Sequence, residues 1–161
     1  MGTTAPNPVS PLPDSESLEA ADLIRSLVAT FGDGLALACS FQKEETILLD
    51  MLLQEKPDAR VFALDTHVLF PETYDYWHLV EERYATTVVP FEGPSLGLQA
   101  ARFGPRLWES APDRCCGIRK MEPLGRALGE ADCWITGVRR DQSPTRANAP
   151  KLGWDDQHGL W

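Results

Sequence analysis

Along the chain, Leu18, Ala21, Ile24, Leu27, Val28 and Phe31 fall mostly three and four residues apart, the spacing that lines one face of a helix, and Gly32 and Gly34 end the pattern. An amphipathic helix is predicted there. The next six residues, Leu35-Ala36-Leu37-Ala38-Cys39-Ser40, form a largely apolar run of strand length, and Ile47, Leu48, Met51 and Leu52 then return to helical spacing. The order repeats: Val61-Phe62-Ala63-Leu64 predicts a second strand, residues 65–71 a loop, residues 72–84 a helix and residues 86–90 a third strand. Short helices are predicted over 97–103 and 121–128, and Cys133-Trp134-Ile135-Thr136-Gly137 predicts a fourth strand. Buried strands alternating with helices predict an α/β fold, a parallel sheet with helices on both faces. Ligands of such sheets sit beyond the carboxyl ends of the strands. The polar residues to weigh are therefore Ser40, Asp65-Thr66 and Arg139-Arg140.

Ahead of these elements, residues 1–14 hold Pro6, Pro8, Pro11 and Pro13 among small polar residues and read as a flexible leader. Residues 15–161 are long enough for one domain with its own core. Hydrophobic residues make up 43% and charged residues 24%, which places the chain in the soluble globular class, and no apolar run is long enough to cross a bilayer. A cytoplasmic location without a membrane partner is expected. The net charge of -9 argues against general nucleic-acid binding, but it is unevenly spread. Residues 1–101 carry 16 acidic groups against 5 basic ones, whereas residues 102–151 carry 10 basic against 6 acidic. The later segment is a candidate site for a small anion.

Three places carry candidate chemistry. Ser40 ends the first strand and leads through Phe41-Gln42-Lys43 into a helix whose free N–H groups suit a phosphate or sulfate, although Ser40 as a simple helix cap is the plainer reading. The loop lacks the glycines of a Walker-type or dinucleotide motif. In Gly137-Val138-Arg139-Arg140-Asp141-Gln142-Ser143-Pro144-Thr145-Arg146, three arginines leave a buried strand together, and guanidinium forks suit oxyanions. The third place is Cys115-Cys116, followed by Gly117-Ile118-Arg119-Lys120. Adjacent cysteines bridge poorly, so they read either as two thiols aimed at one soft centre or as two neighbouring structural thiols. Cys39 and Cys133 lie in apolar strands and read as core. His67, His78 and His158 show no zinc-ligand spacing, and four cysteines make no disulfide framework.

Taken together, Ser40-Phe41 before Glu44-Glu45, Leu64-Asp65-Thr66 with Pro71-Glu72-Thr73, Cys115-Cys116-Gly117-Ile118-Arg119-Lys120 and Gly137-Val138-Arg139-Arg140-Asp141-Gln142-Ser143 resemble the adenylyl-sulfate and phosphoadenylyl-sulfate reductases of sulfate assimilation. The resemblance covers residues 34–161 with its motifs in order. It implies an adenine nucleotide alpha-hydrolase-like fold, related to ATP pyrophosphatases. Within the family, the paired cysteines resemble the branch that carries a 4Fe-4S cluster and prefers adenylyl sulfate, with Cys115 and Cys116 as two of its four thiolate ligands. By motif match, the resemblance implies substrate contacts from Ser40, Phe41, Leu64, Asp65, Thr66, Arg119, Lys120, Gly137, Arg139 and Arg140. It further implies a mobile cysteine that attacks the sulfate sulfur, AMP as leaving group, and thioredoxin as the reductant that releases sulfite. That cysteine and a downstream Cys-x-x-Cys have no counterpart in the chain, which reads as a C-terminally incomplete reductase with no catalytic nucleophile of its own. A catalytically silent nucleotide-binding module and, third, an ATP-using adenylyltransferase or pyrophosphatase of the same fold stand as alternatives. Whether the chain forms a homo-oligomer is open.

Overall fold

A computed structural model describes residues 8–161. Half of the predicted leader, residues 1–7, lies outside the described residues. From Pro8 to Asp14 there is no helix or strand, and Leu12 packs against the core.

The elements follow the apolar pattern closely. Helix α1 (Ala20–Phe31) buries Ile24 and Leu27, and its C-cap Gly32 has φ 51°, a conformation that favours glycine. Strand β1 (Leu35–Ala38) leads to α2 (Lys43–Glu55), β2 (Arg60–Asp65) to α3 (Pro71–Tyr84), and β3 (Val88–Glu92) to α4 (Leu96–Phe103). Pro71 opens α3 at a position where the missing N–H costs nothing. Two short helices, α5 (Leu107–Ser110) and α6 (Pro112–Cys116), fall where no element was predicted. A π-helical segment (Gly117–Met121) then runs into α7 (Glu122–Leu128), and β4 (Cys133–Ile135) completes the sheet.

The pairings between the four strands are parallel, and the strand order is β3-β2-β1-β4. The chain therefore builds outward from β1 on one side and then crosses to add β4 on the other. The crevice beyond the carboxyl ends of β1 and β4 is the topological switch point, where open α/β sheets place their ligands.

Alternation along the strands divides the core. Leu35, Leu37, Val61, Ala63, Val88, Cys133 and Ile135 pack with α1, α2 and α3, whereas Ala36, Phe62, Leu64 and Trp134 pack with α7 and Leu160 on the other face. A sheet buried on both faces needs such continuous apolar runs. At the opposite end of β1, Gly34 accepts a hydrogen bond from Asp132 N at 2.8 Å, and any side chain at Gly34 would overlap the Asp132 carboxylate. Trp161 bonds to Asp132 O and Trp134 N, beside β4. No helix among the described residues is long and apolar enough to cross a membrane.

Candidate functional site

At the exit of β1 the chain turns through Phe41, whose φ of 62° is uncommon for a residue with a side chain. Its ring stacks on Trp77 at 4.8 Å and is anchored in the core. Ser40 is exposed and does not cap α2: the N-cap is Gln42, with no side-chain cap hydrogen bond. The leading N–H groups of α2 are therefore not taken by a capping side chain, which leaves them available to an anion.

At the exit of β2, Asp65 Oδ1 accepts hydrogen bonds from His67 N and from the Tyr74 hydroxyl, both at 2.7 Å. Burial, followed by the Asp65 contact, pushes the Tyr74 hydroxyl up to about 12. Thr66 is buried, and its carbonyl accepts a 2.8 Å hydrogen bond from Arg119 Nη1. The basic run after the paired cysteines is thus joined to the strand edge through Arg119. Only 2% of Arg119 is exposed, and its Nε and Nη2 have no hydrogen-bond partner. Two unpaired donors on a buried cation are costly unless an acceptor meets them. Lys120, by contrast, is exposed.

At the exit of β4, Gly137 is buried, and a Cβ there would overlap the Glu45 carboxylate and lie 3.1 Å from Glu44 Cβ. The arginines that follow are divided among separate partners. Arg139 pairs with Glu44 at 2.6 Å and Asp141 at 3.2 Å. Arg140 pairs with Glu16 at 2.7 Å and donates to Ala149 O at 2.8 Å, while Arg146 bonds Gln142. Lys151 also binds Glu16, through its backbone N–H to the carboxylate and through Nζ to the Glu16 carbonyl. The Arg140 guanidinium, and secondarily the Lys151 N–H, hold the Glu16 carboxyl below its usual range. A largely apolar cleft of about 870 Å³ runs from α1 and α2 to Gly137 and Arg139.

The cysteines overturn the expectation of a 4Fe-4S site. Cys115 is 7% exposed and accepts a long contact from Gln99 Nε2 at 3.9 Å, whereas Cys116 is exposed. Neighbours on a helix diverge by about 100°, and here one thiol faces inward and the other solvent. Cys39 and Cys133 are buried along the sheet, their thiols pushed up by burial to about 11 and about 12. No clustered set of cysteines exists among the described residues, so the residues present do not fit the cluster, and assignment to a paired-cysteine iron-sulfur branch falls with it. The one group of three potential metal ligands found among the described residues is Asp65, His67 and Glu92, whose donor atoms lie within 4.8 Å of one another. These are oxygen and nitrogen donors. The group arises because Asp65 and Glu92 are register partners and His67 Nε2 lies 3.1 Å from Glu92 Oε2. No spacing in the sequence signals a partner 25 residues away.

A parallel sheet open at its switch point, with an uncapped helix start, a buried guanidinium and a close-approach glycine at its carboxyl edge, defines an α/β protein of the adenine nucleotide alpha-hydrolase-like class. The family is narrower. Residues 34–159 match the phosphoadenosine phosphosulfate reductase domain, and the chain belongs to that family. It is 40% identical over 146 residues to an adenosine 5'-phosphosulfate reductase of Staphylococcus haemolyticus, covering 89% of this chain and 60% of the relative. It is 41% identical over 146 residues to one of Halalkalibacterium halodurans, covering 63% of that relative. The chain thus spans about three fifths of the length of these relatives. Among solved structures, a phosphoadenylyl-sulfate reductase from Candida auris in complex with phosphate superposes with a TM-score of 0.76 at 28% identity, over 89% of this chain and 70% of that one.

Proposed function

We propose that residues 15–161 form the nucleotide-binding part of a sulfonucleotide reductase that converts adenylyl sulfate to sulfite and AMP, with thioredoxin as electron donor. The relatives named for adenosine 5'-phosphosulfate favour that substrate over its 3'-phosphorylated form. The observation that carries the reading is Arg119, a buried guanidinium with two free donors, tethered to Thr66 at the strand edge. In this reading the Ser40-Phe41 turn and the start of α2 receive the phosphosulfate together with Arg119 and Lys120. Leu64, Asp65 and Thr66 border the adenine, and Gly137, Arg139 and Arg140 border the far side of the nucleotide. A cytoplasmic setting suits thiol chemistry of this kind.

In the reaction a thiolate attacks the sulfate sulfur, the bond from sulfur to the bridging oxygen breaks and AMP departs with that electron pair. A thioredoxin thiolate then attacks the cysteine sulfur of the enzyme-bound thiosulfonate, the bond between the two sulfurs breaks, and sulfite leaves with its electron pair as a mixed disulfide forms. We assign no cysteine of this chain the attacking role: Cys39, Cys115 and Cys133 are buried, and the motif match gives the exposed Cys116 no part in the attack. Their burial favours one second reading, a module that binds the nucleotide without turning it over. Calorimetry with AMP and a thioredoxin-coupled sulfite assay with adenylyl sulfate test both. AMP binding is expected, and its absence would refute the nucleotide reading; sulfite release from adenylyl sulfate would exclude the silent module.

A further inference from the structure

Glu16 is remote in sequence from the strand ends, yet its carboxylate is held at the mouth of the cleft as an oxyanion ligand would be. One oxygen, Oε2, accepts a hydrogen bond from the Arg140 guanidinium at 2.7 Å, and the other, Oε1, accepts one from the Lys151 backbone N–H at 2.6 Å. A guanidinium and a main-chain N–H are donors equally suited to phosphate and sulfate oxygens. Arg140 and Lys151 both line the cleft that reaches Gly137.

The seat is built to outlast its occupant. Arg140 Nε donates to Ala149 O at 2.8 Å, which holds the guanidinium from another side. The Glu16 backbone is anchored separately: Lys151 Nζ donates to the carbonyls of Glu16 and Leu18, and the neighbouring Ser15 is buried. Only the Glu16 side chain has to turn away. About half of each side chain in the Arg140–Glu16 pair is exposed, and an ion pair so open to water is weak enough to exchange for another anion. Arg139 offers no such exchange, because its partner Glu44 is only 14% exposed.

Resting on the nucleotide reading above, we propose that Glu16 is an autoinhibitory pseudo-ligand: its carboxylate fills an oxyanion seat made by Arg140 and the Lys151 N–H, and the anionic part of an incoming nucleotide must displace it. The apparent affinity for the nucleotide is then lowered by the fraction of molecules in which the seat is filled.

The test compares dissociation constants for AMP among wild type, Glu16→Gln and Glu19→Gln. Glu19 is an exposed acid on the same rim and is no partner of Arg140 among the described residues, so its variant removes an equal charge without opening the seat. Glu16→Gln is expected to tighten AMP binding about threefold, the scale of an exposed ion pair, and Glu19→Gln to leave it unchanged. In wild type the Lys151 amide resonance should also shift at saturating AMP, since its N–H exchanges one acceptor for another. Equal or weaker AMP binding by Glu16→Gln, the same gain in both variants, or an unmoved Lys151 resonance would each overturn the seat while leaving nucleotide binding intact. AMP binding by neither wild type nor Glu16→Gln would remove the underlying reading and this proposal with it.

Discussion

Burial separates the chemistry of side chains that look alike in sequence. Four cysteines are present, but only Cys116 is exposed. Alkylation of the native protein at pH 8 should modify Cys116 rapidly and the other three only as the fold opens; rapid modification of Cys39 or Cys133, followed by peptide mass spectrometry, would contradict the buried placement. The thiol pKa values of about 11 and about 12 lie above the ordinary value of 9.0. The folded state therefore holds these protons more tightly, and the associated stability is complete below pH 9 and lost as pH rises through 11 and 12. Urea midpoints measured against pH should fall on the alkaline side, with the fall reduced in Cys133→Ala. Arg119 presents the complementary case, a buried cation with two donors that have no hydrogen-bond partner. Arg119→Met should leave stability within about 1–2 kcal/mol of wild type, since a charge that is costly to bury is removed along with the Thr66 hydrogen bond. It should weaken AMP binding about tenfold or more. Loss of stability with unchanged binding would make Arg119 structural only.

Elements whose burial is continuous were readable in advance, and those that depend on register were not. Strands β1, β2 and β4 and the helices α1, α2 and α3 announce themselves because two-sided burial demands unbroken apolar runs and one-sided burial demands helical spacing, while the edge strand β3 shows itself by its β-branched residues. The cysteine-bearing helix α6 has only five residues, Pro112 to Cys116, too few to show a period. That explains why Cys115 and Cys116 suggested a shared centre that the geometry denies. The arginine cluster shows partners that spacing does not reveal: Glu16 and Glu44, remote in sequence, pair with Arg140 and Arg139. Asp65, Thr66 and Ser40 were placed at strand ends by pattern alone, whereas Glu92 and Glu45 needed the sheet register and the β4 crossover. At the β4 exit the close approach is itself testable. Gly137→Ala should destabilise the fold by about 1–3 kcal/mol, because the new methyl group overlaps the Glu45 carboxylate. A chemical-denaturation midpoint equal to wild type would show that α2 and β4 are not in contact there.

At the scale of the whole molecule, one topological event creates the site. Strands β1, β2 and β3 add in sequence to one side, and the return of the chain to place β4 beside β1 opens a crevice at their carboxyl ends. Helix α2 starts at that crevice, and the Arg119 side chain reaches the neighbouring exit of β2. The opposite edge, where Asp132 meets Gly34, is closed by direct contact between chain segments. The proposed function is therefore positional: it requires an adenine nucleotide to lie across the exits of β1, β2 and β4. Hydrogen-deuterium exchange with and without AMP tests it most directly. Slowed exchange is predicted over residues 39–46, 65–67 and 136–140, with little change in α1 and in the segment around Gly34. Protection confined to α1 and the Gly34 segment, or no protection at AMP concentrations that saturate binding, would contradict it.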